Sequence, residues 1–579
     1  MTASIQPASG LSAWRLAVIG VVGVLAVAIG VAAGSFLIAT RTAGVGAGAS
    51  YVPASAPLYF EMRLDPSAAQ DGALRELLGH FPAIEGVDLR RPLYEQMGER
   101  VDEMLAAEGI AVSWSTDVAP WFDGRIGLAV LEIPLDELAA STGDSLTPPM
   151  VVMLGVTDAA AADASIARLT AEADPAPTFT EQTHGGVTIR ITEADGAYAL
   201  TDDQLLLAPS ADDIITALDA HNSGSTTMAE VGEITRLTDA MPADWLAFGI
   251  YDFSDLVSAA ISHGASESPA LAEAFGALLE HQPLRGAMAV TAGGDRLAVD
   301  LVTDPPTGPF GVENADRGLA AEVPADTLYY AEAGNLGTTL AAVITPMKDA
   351  VASVPDGAEQ VAMVEAVLGA DLEELVSWID DGAMAFGFDG SQPFGGMLLV
   401  PNDMAAAERR LGQLGTFASL AALDPSMGIS VEESEVGSTS VTTIRWDVPN
   451  ATPDPMLPIP TALVVQYAVT NDRAIIGLGD SFVGRVLDLD SADALASVAR
   501  FRESVDAFGG ASNTGVTWLD LTGVREAIET FLEPRLEAMD PGGLYQTEIR
   551  PWLLPLDRIV SVTRLEGDVH VQRGALLVR

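Results

Sequence analysis

The chain of 579 residues has no cysteine, one lysine and six histidines. Without cysteine it can hold no disulfide, thiol nucleophile, zinc–thiolate centre or lipid-modified N-terminal cysteine. The one lysine, Lys348, is followed by Asp349, so the Gly-Lys-Ser/Thr core of a phosphate-binding loop is missing. His80, His184, His221, His263, His281 and His570 never come closer than 18 residues in sequence, so no helix carries two of them one turn apart as a metal pair. There is no Gly-x-Ser-x-Gly nucleophile elbow; in Gly479-Asp480-Ser481-Phe482-Val483-Gly484, Ser481 is better placed to cap a helix.

Long runs of one charge sign are missing too, although the net charge is −52. The first fifty residues contain two arginines and no acid, so removing them leaves −54 on the rest. A surface that acidic repels phosphate backbones, which excludes nucleic acid as a partner. The acid clusters Asp202-Asp203, Asp212-Asp213, Asp380-Asp381 and Asp488/Asp490/Asp493 read as turn and helix-end acids. The last lacks the glycine and the bidentate glutamate of a calcium loop. No motif implies a cofactor or a metal.

What is present begins with Leu16–Thr40, 25 uncharged residues between Arg15 and Arg41. At about 1.5 Å per residue this run can cross a hydrocarbon core of about 30 Å. The expected layout is a cytoplasmic tail over 1–15, a transmembrane signal anchor over 16–40 and a flexible linker over 41–50. A signal peptide cleaved near Ala47-Gly48-Ala49 is the competing reading. The bulk of the chain is then extracytoplasmic on a single-pass anchor in the cell membrane.

The remainder reads as one module written twice. Leu58, Phe60, Met62 and Leu64 alternate with Tyr59, Glu61 and Arg63, the period of a strand, and this spacing predicts the apolar set on the buried face. The Val-Pro-Ala phrase before that strand returns at Val323-Pro324-Ala325, and a Met-Pro-Ala variant stands at Met241-Pro242-Ala243. Tyr198-Ala199-Leu200-Thr201 matches Tyr467-Ala468-Val469-Thr470, and Trp121-Phe122-Asp123 matches Trp378-Ile379-Asp380. Val152-Met153-Leu154 matches Met397-Leu398-Leu399, all in the same order. The joint falls in Asp304-Pro305-Pro306-Thr307-Gly308-Pro309. The expected fold is α+β: a tandem duplicated module of mostly antiparallel sheets with packed helices, the repeats spanning 51–318 and 319–579. Ser254 and Thr522 are expected to cap helices, and the recurring Asp65, Asp252 and Asp520 to serve as cap or turn acids. Trp121 and Trp378, each ahead of a strand, are core residues by default and the candidate ligand or partner contacts. The proline-rich Asp447–Pro460 stretch is a further contact candidate.

Tyr51-Val52-Pro53-Ala54, Leu58-Tyr59-Phe60-Glu61 and Leu64-Asp65, with Trp121 followed by Gly124-Arg125-Ile126-Gly127-Leu128-Ala129, resemble the bacterial family catalogued as domain of unknown function 3352. The resemblance implies an N-terminal membrane anchor and a large extracytoplasmic body, and it brings no catalytic residues. The second half departs from it, with Asp380-Asp381-Gly382-Ala383 in place of Asp-Gly-Arg. The expected function is a non-catalytic binding or scaffolding module, with an envelope protein or an apolar ligand as partner. The alternatives are a carboxylate-dependent hydrolase with a cleft between the repeats, or a carrier of an apolar ligand.

Overall fold

The computed structural model describes residues 47–579 except 84–86, 108–111, 135–147, 173–176, 193–195, 223–225, 268, 355, 390–391, 448–461 and 540–542. The expected tail, the anchor over 16–40, most of the linker and the proline-rich stretch from Val448 to Pro460 lie outside the described residues. Among the described residues no helix is long and apolar enough to cross a membrane. Residues 47–50, expected in the flexible linker, instead open a 3-10 turn over Ala47–Tyr51 with Ala49 and Tyr51 buried. Small residues permit this: a Cβ on Gly48 would stand 2.7 Å from Tyr59 Oη. Tyr51 Oη then donates to Asp203 Oδ1 at 2.6 Å and fixes the turn.

Ten strands come first: β1 Leu58–Arg63, β2 Phe122–Val130, β3 Met150–Val156, β4 Phe179–His184, β5 Val187–Thr192, β6 Ala197–Leu200, β7 Gln204–Ala208, β8 Ala247–Asp252, β9 Arg285–Gly293 and β10 Arg296–Thr303. Among the described residues ten longer strands follow: β11 Thr327–Ala333, β12 Ile379–Asp389, β13 Gln392–Pro401, β14 Ile429–Val436, β15 Thr439–Asp447, β16 Ala462–Val469, β17 Ala474–Leu478, β18 Gly515–Asp520, β19 Leu556–Glu566 and β20 Val569–Val578, while the two-residue strands Ala315–Asp316 and Ser512–Asn513 pair with each other. Short turns such as Gly185-Gly186, both at positive φ, close the hairpins. The longer helices among the described residues are α1 Ala68–Leu78, α2 Leu93–Ala107, α3 Ala159–Glu172, α4 Ala211–Asn222, α5 Gly232–Asp239, α6 Ser254–Glu267, α7 Pro269–Leu279, α8 Leu336–Ala352, α9 Gly357–Leu368, α10 Met404–Ala421, α11 Phe482–Leu487, α12 Ala499–Phe508 and α13 Leu521–Met539. The fold is α+β with antiparallel pairing.

The chain divides into two compact units. The first holds the described residues up to Leu256 and Arg285–Val302; the second holds Val257–Leu284 and Thr303–Arg579. Residues 257–284, which the sequence places with the first repeat, thus count with the second unit. In the first unit the strand order is β10-β9-β8-β1-β2-β3-β7-β6-β5-β4. In the second it is β20-β19-β18-β11-β12-β13-β17-β16-β15-β14. Each strand of the second order is the one ten places on from its counterpart in the first.

In β1 the alternation is as expected, but the more deeply buried face is the other one. Tyr59, Glu61 and Arg63 are almost wholly buried, whereas Leu58, Phe60 and Met62 are partly covered. Both faces of β1 are at least partly covered, so apolarity alone does not decide which lies deeper. In the first unit one core gathers Tyr59, Met153, Ile189, Leu206, Trp245 and Phe248. A second gathers Leu64, Leu105, Trp114, Trp121, Phe122 and Tyr198.

Candidate functional site

The buried polar row on β1 is held by its own side chains. Tyr59 Oη donates to Glu61 Oε2 at 2.5 Å, and Arg63 Nε lies 3.6 Å from Glu61 Oε1. The Arg63 guanidinium stacks 3.9 Å above the Trp245 ring. Burial, and then the Glu61 carboxylate, drive the Tyr59 hydroxyl far above its usual ionisation range. The same spelling, Tyr-x-Glu, recurs on β11: Tyr330 Oη donates to Glu332 Oε2 at 2.5 Å. There the other oxygen accepts the backbone N–H of Gly318 at 3.2 Å and of Leu319 at 3.4 Å. Burial raises the Glu332 carboxyl above the ordinary glutamate range, against the pull of those donors. Both rows are enclosed, so they act on the fold rather than on a ligand. The repeated Tyr-x-Glu was the signal in the sequence that could have exposed them.

Trp121 and Trp378 are both buried beside the first residue of their strands. Trp121 Nε1 donates to Asp117 O at 2.6 Å, and Trp378 Nε1 donates to Leu375 O at 2.8 Å. A satisfied, covered indole is a packing element, and neither ring offers a face to solvent. The recurring acids work as caps and ion partners. Asp252 Oδ1 accepts the Ser254 N–H at 3.0 Å and its Oδ2 the Arg285 Nε–H at 2.7 Å. Asp520 Oδ1 accepts the Gly523 N–H at 3.0 Å, so the aspartate performs the capping expected of Thr522. Thr522 Oγ1 points instead towards Leu556 O. Ser481 occupies the cap position of α11, but its side chain makes no capping hydrogen bond to the helix. Asp381, within the Asp380-Asp381-Gly382-Ala383 run that stands in place of Asp-Gly-Arg, pairs with Arg317 Nη1 at 2.7 Å.

The feature that packing leaves unexplained is in the second unit. Helices α8 and α9 are rich in apolar residues, yet the buried residues are Gly337 and Ala350 in α8 and Gly357 in α9. Met347 is 57% exposed, Met363 61% and Val367 60%, with Val351, Val354 and Val364 exposed as well. Phe275 on α7 is exposed too. The lone lysine ties these helices: Lys348 Nζ meets Glu373 Oε1 at 2.6 Å and Glu365 Oε1 on α9 at 3.5 Å. An apolar helix face is normally covered, so the exposed methionines and valines form a surface that composition would bury and geometry leaves open. Elsewhere in this unit a cavity of about 500 Å³ opens between α10 and β14–β16. Among the described residues no group of three or more His, Asp or Glu side chains is arranged to hold a metal ion.

No curated protein matches the chain. Four solved chains do. Crystal form I of TP0453 is 7% identical, with a TM-score of 0.22 over 45% of this chain and 79% of its own. Crystal form IV is 11% identical, with a TM-score of 0.18 over 45% of this chain and 94% of its own. Scores that low carry no argument about the present chain. The family model described as "Protein of unknown function (DUF3352)" matches residues 16–543, and the chain belongs to that family.

Proposed function

We propose that the chain is a membrane-anchored, extracytoplasmic binding or scaffolding module without catalysis, built by tandem duplication and partnered by an envelope protein through α8 and α9. The observation that carries this is the exposed apolar face of those helices. Fully burying a side chain of this size is worth about 1.5–3 kcal/mol. These are roughly half exposed, so each gains on the order of 1 kcal/mol when a partner covers it. The matching strand orders of the two units support the duplication. The uncharged run over 16–40 supports the anchor, and it falls within the stretch that the family shares. An enzyme would draw on polar groups converging in a cleft; the buried polar rows described above are enclosed within the sheets.

The test is a pull-down from gently solubilised membranes, comparing the native chain with a Met363→Glu, Val367→Glu variant. A membrane protein retained by the native chain and lost from the variant is the expected result. If both chains retain the same proteins, these helices are not the docking face.

A further inference from the structure

One rung of neighbouring residues crosses each sheet at the same level. In the first unit it reads Glu181, Arg190, Tyr198, Leu207, Val152 across β4, β5, β6, β7 and β3. In the second it reads Glu433, Thr442, Tyr467, Ile476, Met397 across β14, β15, β16, β17 and β13. A helix lies over each rung and begins at a capping aspartate. Asp158 Oδ1 accepts the Ala161 N–H and Asp403 Oδ1 the Ala406 N–H, both at 3.0 Å. Five residues beyond these caps stand Asp163 on α3 and Glu408 on α10.

In the first unit a guanidinium joins these groups. Arg190 Nη1 donates to Asp163 Oδ1 at 3.1 Å and to Tyr198 Oη at 3.3 Å, and Nε donates to Glu181 Oε1 at 3.2 Å. Its carbon sits 5.7 Å from the Tyr198 ring centre. In the second unit both acids and the tyrosine recur, and Thr442 takes the place of the arginine. Glu408, Glu433, Thr442 and Tyr467 line the cavity of about 500 Å³, with Leu411 and Val431 giving it an apolar flank. Gly415 lets the helix pass over the tyrosine, since a Cβ there would stand 2.3 Å from Tyr467 Oη.

We propose that this cavity binds an alkylguanidinium, with the planar cation between Glu408 and Glu433 and against Tyr467, where Arg190 lies in the first unit. A guanidinium offers a rigid fork of donors to two carboxylates and a flat face to an aromatic ring. An ammonium of equal length is a point charge and uses neither feature. The volume suits a small ligand with a short alkyl stem, and a net charge of −52 draws cations to the surface. The inference is independent of the apolar docking face on α8 and α9.

The full chain, kept in detergent, is titrated calorimetrically with butylguanidine, butylamine and N-acetyl-arginine amide. Butylguanidine is expected to saturate one site, about tenfold more tightly than butylamine, and to weaken with added salt. Thr442→Arg supplies the cation from the chain itself; it should abolish binding and melt no lower than the native protein. Should that variant fail to fold, Glu433→Gln serves, with an expected loss of about tenfold. Tighter binding of the arginine amide assigns the site to an arginine side chain of another molecule; tighter binding of butylguanidine assigns it to a free guanidine. Absence of saturation, equal affinity for amine and guanidine, or unchanged binding by a folded Thr442→Arg variant overturns the proposal.

Discussion

Tyr59 and Glu61 stand two residues apart on one strand, both buried, with the phenol hydroxyl donating to the carboxylate at 2.5 Å. Strand periodicity puts residues i and i+2 on one face, so the sequence itself aligns donor and acceptor. Among the described residues Glu61 Oε1 has no hydrogen-bond donor, only Arg63 Nε at 3.6 Å. Tyr59→Phe therefore strips a buried carboxylate of its one short donor, and should cost about 1–3 kcal/mol. Tyr330→Phe should cost less, because Glu332 keeps the backbone donors of Gly318 and Leu319. Urea midpoints of the two variants decide it; an equal or larger loss at Tyr330 contradicts the argument.

That buried row also shows where the sequence was legible and where it was not. Alternation in Leu58–Leu64 identified a strand, because a period of two survives any environment. It did not identify the deeper face, because β1 has neighbours on both edges and cover on both sides. The order of matched phrases, from Trp121/Trp378 to Tyr198/Tyr467, agrees with the strand order that the two units share, since each phrase carries its own strand and turn signals. Position 190 could not be read this way. Arginine and threonine both fit an exposed strand, and only the register showed that Arg190 and Thr442 hold one place. The role of Asp520 was half visible: an acid ahead of a helix suggests a cap, but the adjacent Thr522 is an equally good candidate until the backbone turns.

Lys348, the single lysine, should be a poor target for amine reagents. A hydrogen bond from its ammonium to Glu373 raises its pKa, and the Glu365 carboxylate adds to the effect. An ammonium held charged is not a nucleophile, so Lys348 should be labelled only slowly at pH 8. Glu373→Gln should speed modification at Lys348 severalfold. Peptide mapping after brief labelling measures both; fast modification of the native lysine would show that the clip does not hold.

Gly337 marks a close approach of backbone to backbone. A Cβ there would stand 2.3 Å from Ile379 O and 2.4 Å from Val376 O, atoms that cannot swing aside. Gly337→Ala should destabilise the second unit by about 1–3 kcal/mol. Gly72 on α1 makes the opposite control, since a Cβ there meets nothing within 4 Å. Gly72→Ala should gain about 0.4–1 kcal/mol through the unfolded chain. Thermal melting of both variants tests the pair, and a destabilised Gly72→Ala would refute the open-space reading.

His570 should give the fold a weakness towards acid. The ring is half-buried on β20, its Nε2 is 3.1 Å from Thr514 Oγ1, and burial lowers its pKa below the ordinary value. The unfolded chain takes up the proton near the usual value of about 6.5, and the folded chain only at lower pH. Between those two points the unfolded state binds more protons, so stability rises with pH there. The contribution is complete above the unfolded value and is lost as pH falls through that window. Many carboxylates titrate below it, so the native protein is best compared with His570→Gln, which cannot charge. The native melting temperature should fall faster than the variant's between pH 7 and pH 5. Parallel melting curves for the two proteins over that range would mean that the imidazole is free to protonate in the folded state.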